Sequence, residues 1–132
     1  MITHLLDTNV CIFFNKGVGQ VRDRLDEVGF DRCAISEITY AELLYGVEKS
    51  EHQSRNLKTL KLFMLDLQIL TISTSIVLFA KEKARLKRIG QPVDNFDLLI
   101  GATAIHHNLV LVTNNTKHFQ RLHDIQLEDW TK

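Results

Sequence analysis

The chain has 132 residues, 45% of them hydrophobic, and its 16 basic side chains balance 16 acidic ones. That length suits one domain, residues 1–132, which can bury a core without disulfides or structural metal, and the neutral balance gives no global sign of nucleic-acid binding. The longest apolar runs, such as Leu109 to Val112, are too short to span a bilayer. Asp7 and Asn9 interrupt what would have to be a signal-peptide stretch, so a cytoplasmic protein without membrane contact is expected.

Short apolar runs alternate with longer helical patterns, which predicts an α/β fold with a parallel sheet of four to five strands flanked by helices. Ile2–Leu6 reads as the first strand, followed by helices over Val10–Asn15 and Val21–Val28. Cys33–Ile35 reads as the second strand. Cys33 and Cys11 are the only cysteines and form no C-x-x-C pair, so both are expected to be buried free thiols.

Ser36 suits the N-cap of a helix reaching about Ser50, with Ile38, Ala41, Leu44 and Tyr45 recurring at three and four residues. Arg55–Leu67 continues as a second helix with Leu57, Leu60, Phe63, Met64 and Leu67 on one stripe, giving a helical hairpin after strand two. Ile69–Ile72 is the third strand. Ser73-Thr74-Ser75 then starts a helix that ends at Gly90. Its segment Lys81 to Arg88 carries five bases to one acid, and Lys81, Arg85 and Arg88 share a face, either solvated or contacting phosphates. Asp94 or Asn95 caps a helix through Ile105, and Leu109–Val112 and Ile125–Leu127 complete the strands. The histidine pairs His106-His107 and His118/His123 lack the spacing that puts two imidazoles on one helix face, so no zinc site is expected.

Three carboxylates sit in apolar company. Asp7 emerges at the carboxyl end of strand one, Glu42 lies beyond the first turn of the helix after strand two, and Asp97 begins the helix before strand four. Each has a local alternative: Asp7 as a helix cap, Glu42 in a capping box with Thr39, Asp97 reciprocating with a cap at Asp94. All three elements, however, reach the carboxyl edge of a parallel sheet, where open α/β folds bind their ligands. Three unpaired acids there repel one another, and Mg²⁺ or Mn²⁺ is the partner that suits hard oxygen ligands. Such ions in an acidic pocket are the equipment of phosphodiester hydrolysis.

The ordered set Leu5-Leu6-Asp7-Thr8-Asn9, Ser36-Glu37-Ile38-Thr39-Tyr40-Ala41-Glu42-Leu43-Leu44-Tyr45-Gly46, Asn95-Phe96-Asp97-Leu98-Leu99-Ile100-Gly101-Ala102 and Leu111-Val112-Thr113-Asn114-Asn115-Thr116-Lys117-His118-Phe119 resembles a PIN-domain ribonuclease. Overall length and the closing Leu127-Glu128-Asp129-Trp130 are similar to the VapC toxins of type II toxin–antitoxin pairs. The resemblance implies a PIN-like fold and Mg²⁺- or Mn²⁺-dependent endoribonuclease activity. Asp7, Glu42 and Asp97 carry over as catalytic acids, with Asp7 and Asp97 holding the metal. Glu42 would position the water for an in-line attack that leaves a 5′-phosphate and a 3′-hydroxyl. Many members have a fourth acid where this chain has Asn115, and Asp94 is a further candidate. Thr8, Asn9, Thr113 and Asn114 are similar to polar groups that orient the acids.

The resemblance further implies a homodimer, a VapB-like antitoxin whose C-terminal segment covers the acids, and operator DNA bound only through that antitoxin. The Trp130 ending resembles the subgroup that cuts the anticodon loop of initiator tRNA. Two rivals compete: a noncatalytic RNA-binding or scaffold PIN domain, favoured by Asn115, and a haloacid-dehalogenase-like phosphatase, which needs D-x-D where this chain has Asp7-Thr8-Asn9.

Overall fold

The computed structural model describes residues 1–132. Five short strands, β1 (His4–Leu6), β2 (Cys33–Ser36), β3 (Gln68–Leu70), β4 (Val110–Val112) and β5 (Gln126–Glu128), form one sheet in the order β3-β2-β1-β4-β5. Every neighbouring pair is parallel, with Leu5 opposite Ala34 on one side and Leu111 on the other. The chain winds outward from β1 through β2 to β3, then returns to lay β4 and β5 on the other flank. The reversal falls between β1 and β4, the crevice where such sheets bind ligands.

Alternation along the strands divides the core between two faces. Leu6, Cys33, Ile35 and Val112 join one cluster with Val10 and Cys11 of α1 (Thr8–Lys16), Val21 and Leu25 of α2 (Val21–Val28), Phe63 and Trp130. Leu5, Ala34 and Leu111 face the other way, onto Ile100 and Ala104 of α6 (Asn95–His106) and Phe119 of α7 (Thr116–Phe119). Both cysteines are buried free thiols, and desolvation pushes both thiols up from their ordinary range. No helix is long and apolar enough to cross a membrane.

The expected hairpin is α3 (Glu37–Glu48) followed by α4 (Gln53–Phe63), and Ser36 caps α3 by accepting the Thr39 N–H at 3.1 Å. Two expectations need correction. Helix α4 stops at Phe63, four residues before the expected end, because the chain turns through Met64–Asp66 to drop Leu67 into the core ahead of β3. On α3, Tyr45 is 66% exposed and Ala41 is exposed, whereas Tyr40, Leu43 and Val47 meet the core. A helix that is apolar on most of its circumference does not announce its buried side.

Between β3 and α6 runs α5 (Ile76–Arg88), led in by a 3₁₀ turn over Ser73–Ser75. The basic stripe of this helix also requires correction, because Arg85 is used internally. Its guanidinium grips the buried Glu82 with two bonds, at 2.9 and 2.8 Å, and donates to the Arg121 carbonyl at 2.7 Å. Glu82 additionally accepts the His123 N–H at 3.1 Å, so the pair ties α5 to the chain after α7. The Arg85 bonds hold the Glu82 carboxyl below its usual range against the opposing effect of burial. Arg85→Ala strands a largely buried carboxylate and should lower stability by about 1–2 kcal/mol. Lys81→Ala and Arg88→Ala, at exposed positions, should leave the urea midpoint where it is.

The C-terminal segment closes the first core cluster. Trp130 is 2% exposed, its indole N–H donates to Glu128 at 2.9 Å, and its carbonyl accepts the Gln20 N–H at 2.9 Å. Gly19 makes the passage possible: at φ +56, a Cβ there would stand 2.5 Å from the Thr131 carbonyl oxygen.

Candidate active site

Asp7 is the first residue beyond β1, and it both caps α1 and lines the crevice, so the two readings of this position are not exclusive. Its Oδ1 accepts the Thr8 N–H at 2.8 Å, and its Oδ2 accepts the hydroxyl of the buried Thr113, just past β4, also at 2.8 Å. The Asp7 N–H meanwhile donates to the Val112 carbonyl at 2.9 Å. Asp7 is thus fixed at the point where the strand order reverses, only 5% exposed. Burial raises its pKa above the ordinary carboxylate value; the bonds from Thr113 and Thr8 pull the other way, and Glu42 raises it further.

Glu42 projects from α3, where its Oε1 accepts the Thr8 hydroxyl at 2.6 Å, a short, charge-assisted bond. Asp97 stands in the first turn of α6, whose cap is Asp94, accepting the Phe96 N–H at 3.1 Å. Burial pushes the Asp97 carboxyl up to about 6, with further lifts from Asp7, Asp94 and Glu42. The three acids anticipated from separate parts of the sequence therefore share one electrostatic neighbourhood, and the exposed Asp94 adds its charge from the rim.

The polar companions divide. Thr8 and Thr113 bond the acids directly. Asn9 and Asn114 do not: both are exposed, and neither side chain hydrogen-bonds a carboxylate. Asn115 donates its backbone N–H to the Thr113 hydroxyl at 3.0 Å, while its side-chain amide is engaged with His118 Nδ1 at 2.9 Å. One polar neighbour, which the sequence offered only as a capping-box partner of Glu42, also belongs to the site. Thr39, fully buried one turn before Glu42, has its hydroxyl 3.1 Å from that of Thr8. The available signal was its i, i+3 spacing from Glu42, which puts both on one face of α3.

No group of three or more His, Cys, Asp and Glu side chains is drawn together into a ready-made cation cage. The donor chemistry nevertheless fits a hard divalent ion: oxygen ligands only, with the Asp7 and Asp97 carboxyls lifted by burial and by neighbouring acids. Such a set binds a cation by exchanging protons and internal hydrogen bonds for metal–oxygen bonds.

Comparison with known proteins places this architecture. Residues 4–124 match the PIN domain family. The tRNA(fMet)-specific endonuclease VapC of Salmonella typhimurium is 39% identical, aligned over 98% of this chain and 99% of the relative. That of Shigella flexneri is 36% identical over 99% and 100%. The crystal structure of DNA-bound VapBC from Salmonella typhimurium superposes with a TM-score of 0.92 at 38% identity, covering 98% of this chain and 99% of the other. The chain belongs to the PIN-domain family, among its VapC ribonucleases. A haloacid-dehalogenase-like phosphatase is thereby excluded: the Asp7-Thr8-Asn9 turn belongs to a different fold and a different set of acids.

Proposed function

We propose that this chain is the toxin of a type II toxin–antitoxin pair, a single PIN domain that hydrolyses RNA in the bacterial cytoplasm. Asp7, Glu42 and Asp97 are its catalytic acids. The observation that carries this reading is the convergence of these three acids at the switch point of the sheet, with Asp97 held near 6 by burial, Asp7, Asp94 and Glu42. A Mg²⁺ or Mn²⁺ ion held by Asp7 and Asp97 supplies charge neutralisation at the scissile phosphate and a more acidic water.

The chain's own groups do the rest. Thr113 and the Thr8 N–H clamp both oxygens of Asp7, while the Thr8 hydroxyl holds one oxygen of Glu42 and leaves the other available to accept a proton from the attacking water. The ribose 2′-hydroxyl takes no part as nucleophile. Initiator tRNA is the proposed substrate, by similarity to relatives named for that specificity. Lys81 and Arg88, exposed on α5, are the remaining phosphate contacts of the basic stripe. Neutralising both should weaken RNA binding and shallow its salt dependence by about two phosphate contacts, read as the slope of log K against log salt concentration.

A VapB-like antitoxin is the proposed partner, with operator DNA bound only through it; the similar Salmonella typhimurium structure is of a DNA-bound VapBC. A groove of about 430 Å³ between α1, α3 and α4 is lined by Ile12, Leu43 and Leu60, with Glu42 in its wall. An apolar antitoxin segment lying there can bring an arginine to the acids. A second copy of the chain is proposed to pair through α5, where Ile76 and Val77 are 50% and 66% exposed.

The test is cleavage of total bacterial tRNA by the purified chain in Mg²⁺ or Mn²⁺, with EDTA and Asp7→Ala as controls and the new ends sequenced. Cutting at one anticodon loop, lost in both controls and leaving 5′-phosphates, is the expected result. Ends carrying 2′,3′-cyclic phosphate overturn the metal–water chemistry, and binding without cutting establishes a scaffold PIN domain instead.

A further inference from the structure

We infer that Thr39 is a positioning residue for the reaction: acting through the hydroxyl of Thr8, it sets the orientation of the Glu42 carboxylate. The inference rests on the nuclease reading above and adds a residue to its machinery. Thr39 is fully buried, yet it carries a hydroxyl into a face that would otherwise take a valine at no cost. Its own N–H is already spent on the Ser36 cap, so the first turn of α3 is rigid beneath it. The hydroxyl has one hydrogen-bonding neighbour: it accepts from Thr8 Oγ1 at 3.1 Å, as second acceptor of the proton that Thr8 gives Glu42 at 2.6 Å.

Thr8 is the joint of the site. Its N–H is committed to Asp7 at 2.8 Å and its hydroxyl to Glu42 at 2.6 Å, so one residue spaces two acids that belong to different elements. A threonine near a helix start has two accessible χ1 wells, and only one of them aims the hydroxyl at α3. Thr39 is the fixed group on the far side of that hydroxyl. With it, the Thr8 oxygen lies between two partners on one helix, Thr39 and Glu42, three residues apart and on the same face. Without it, the Thr8 side chain keeps only one of the two contacts that hold it in the well facing α3, and the bond it gives Glu42 is less firmly aimed. Thr8 is the group one bond removed from the reacting carboxylate, a position that typically changes activity by about 10–100-fold, and Thr39, two bonds removed, belongs at the lower end of that range.

The experiment compares Thr39→Val, which keeps shape and burial, with Thr39→Ser, which keeps the hydroxyl, in RNA cleavage and in Mn²⁺ binding measured by calorimetry. Thr39→Val should lower kcat about tenfold with KM unchanged and weaken Mn²⁺ binding, and Thr39→Ser should restore both. In a Glu42→Gln background the valine substitution should have no further effect on kcat, because its route runs through that carboxylate. Equal kcat and Mn²⁺ affinity in Thr39→Val and wild type would overturn the inference, as would an undiminished valine effect beside Glu42→Gln. Wild-type protein that cuts no RNA would instead overturn the nuclease reading, and the Mn²⁺ arm then decides the role of Thr39 by itself.

Discussion

Asp97→Asn should abolish RNA cleavage, by about 10³-fold or more, and at the same time yield a metal-free protein that is more stable than the wild type at pH 7.5. The loss follows from removing a carboxylate proposed to hold the metal ion. The gain follows from the same carboxylate's surroundings. Its folded value of about 6 lies above the ordinary 3.8 because burial and the charges of Asp7, Asp94 and Glu42 disfavour ionisation. Between those two values the folded protein holds a proton that the unfolded chain has released, so this group's contribution to stability falls as pH rises through the window. Asparagine avoids that loss.

The gap corresponds to at most about 3 kcal/mol, and solvent screening of a half-buried group trims it to about 1–2 kcal/mol. The difference in melting temperature between Asp97→Asn and wild type should therefore be positive at pH 7.5 and shrink towards zero as pH is lowered to about 4. Mg²⁺ should raise the wild-type Tm at pH 7.5 and leave that of the variant nearly unchanged, since a ligand stabilises only the protein that binds it. A variant less stable than wild type at pH 7.5 without metal would show that Asp97 serves the fold rather than the site.

The second large effect is expected at Trp130, and it concerns stability alone. Trp130 fills the first core cluster beside Leu6, Val10, Val21 and Val112, with Arg24 over its ring at 5.6 Å. Trp130→Ala removes a large buried ring and leaves the Glu128 bond unmade, at a cost of about 3–5 kcal/mol. For a chain of this size that is a fall in Tm of more than about 10 °C, measurable by calorimetry. Trp130→Phe should recover most of it. The closing tryptophan that resembles one VapC subgroup is therefore a core residue in this fold, buried away from any RNA.

What the sequence made legible follows a physical line. The central strands β1, β2 and β4 were readable because each is a short, largely apolar run that fills two core faces by alternation, as Leu5 and Leu6 do. Asp7, Glu42 and Asp97 could be brought together on paper because parallel topology alone sends the ends of β1 and the starts of α3 and α6 to one edge. Helix faces were less readable. On α3 apolar residues fall on most sides of the helix, so periodicity had little contrast with which to separate the exposed Tyr45 from the buried Val47. Arg85 was placed on an outward stripe, solvated or contacting phosphates, because spacing along one helix does not reveal a bond to the Arg121 carbonyl, 36 residues away. Thr39 was read only as a capping-box partner of Glu42, because spacing along α3 does not reveal a hydroxyl contact with Thr8, 31 residues away. The short α7 was missed too, since Thr116–Phe119 is a single turn with no room for a repeat.

The placement of β1 at the middle of the sheet has a consequence for the protein's synthesis. The pocket draws on positions 7, 42, 97 and 113, and the clamp on Asp7 is delivered by the residue after β4. A chain emerging from the ribosome carries Asp7 almost from the outset, yet it has no assembled pocket until more than four-fifths of its length has been made. Parallel pairing between such distant segments is also slow to form. A ribonuclease built this way completes its pocket only after β4 has been made.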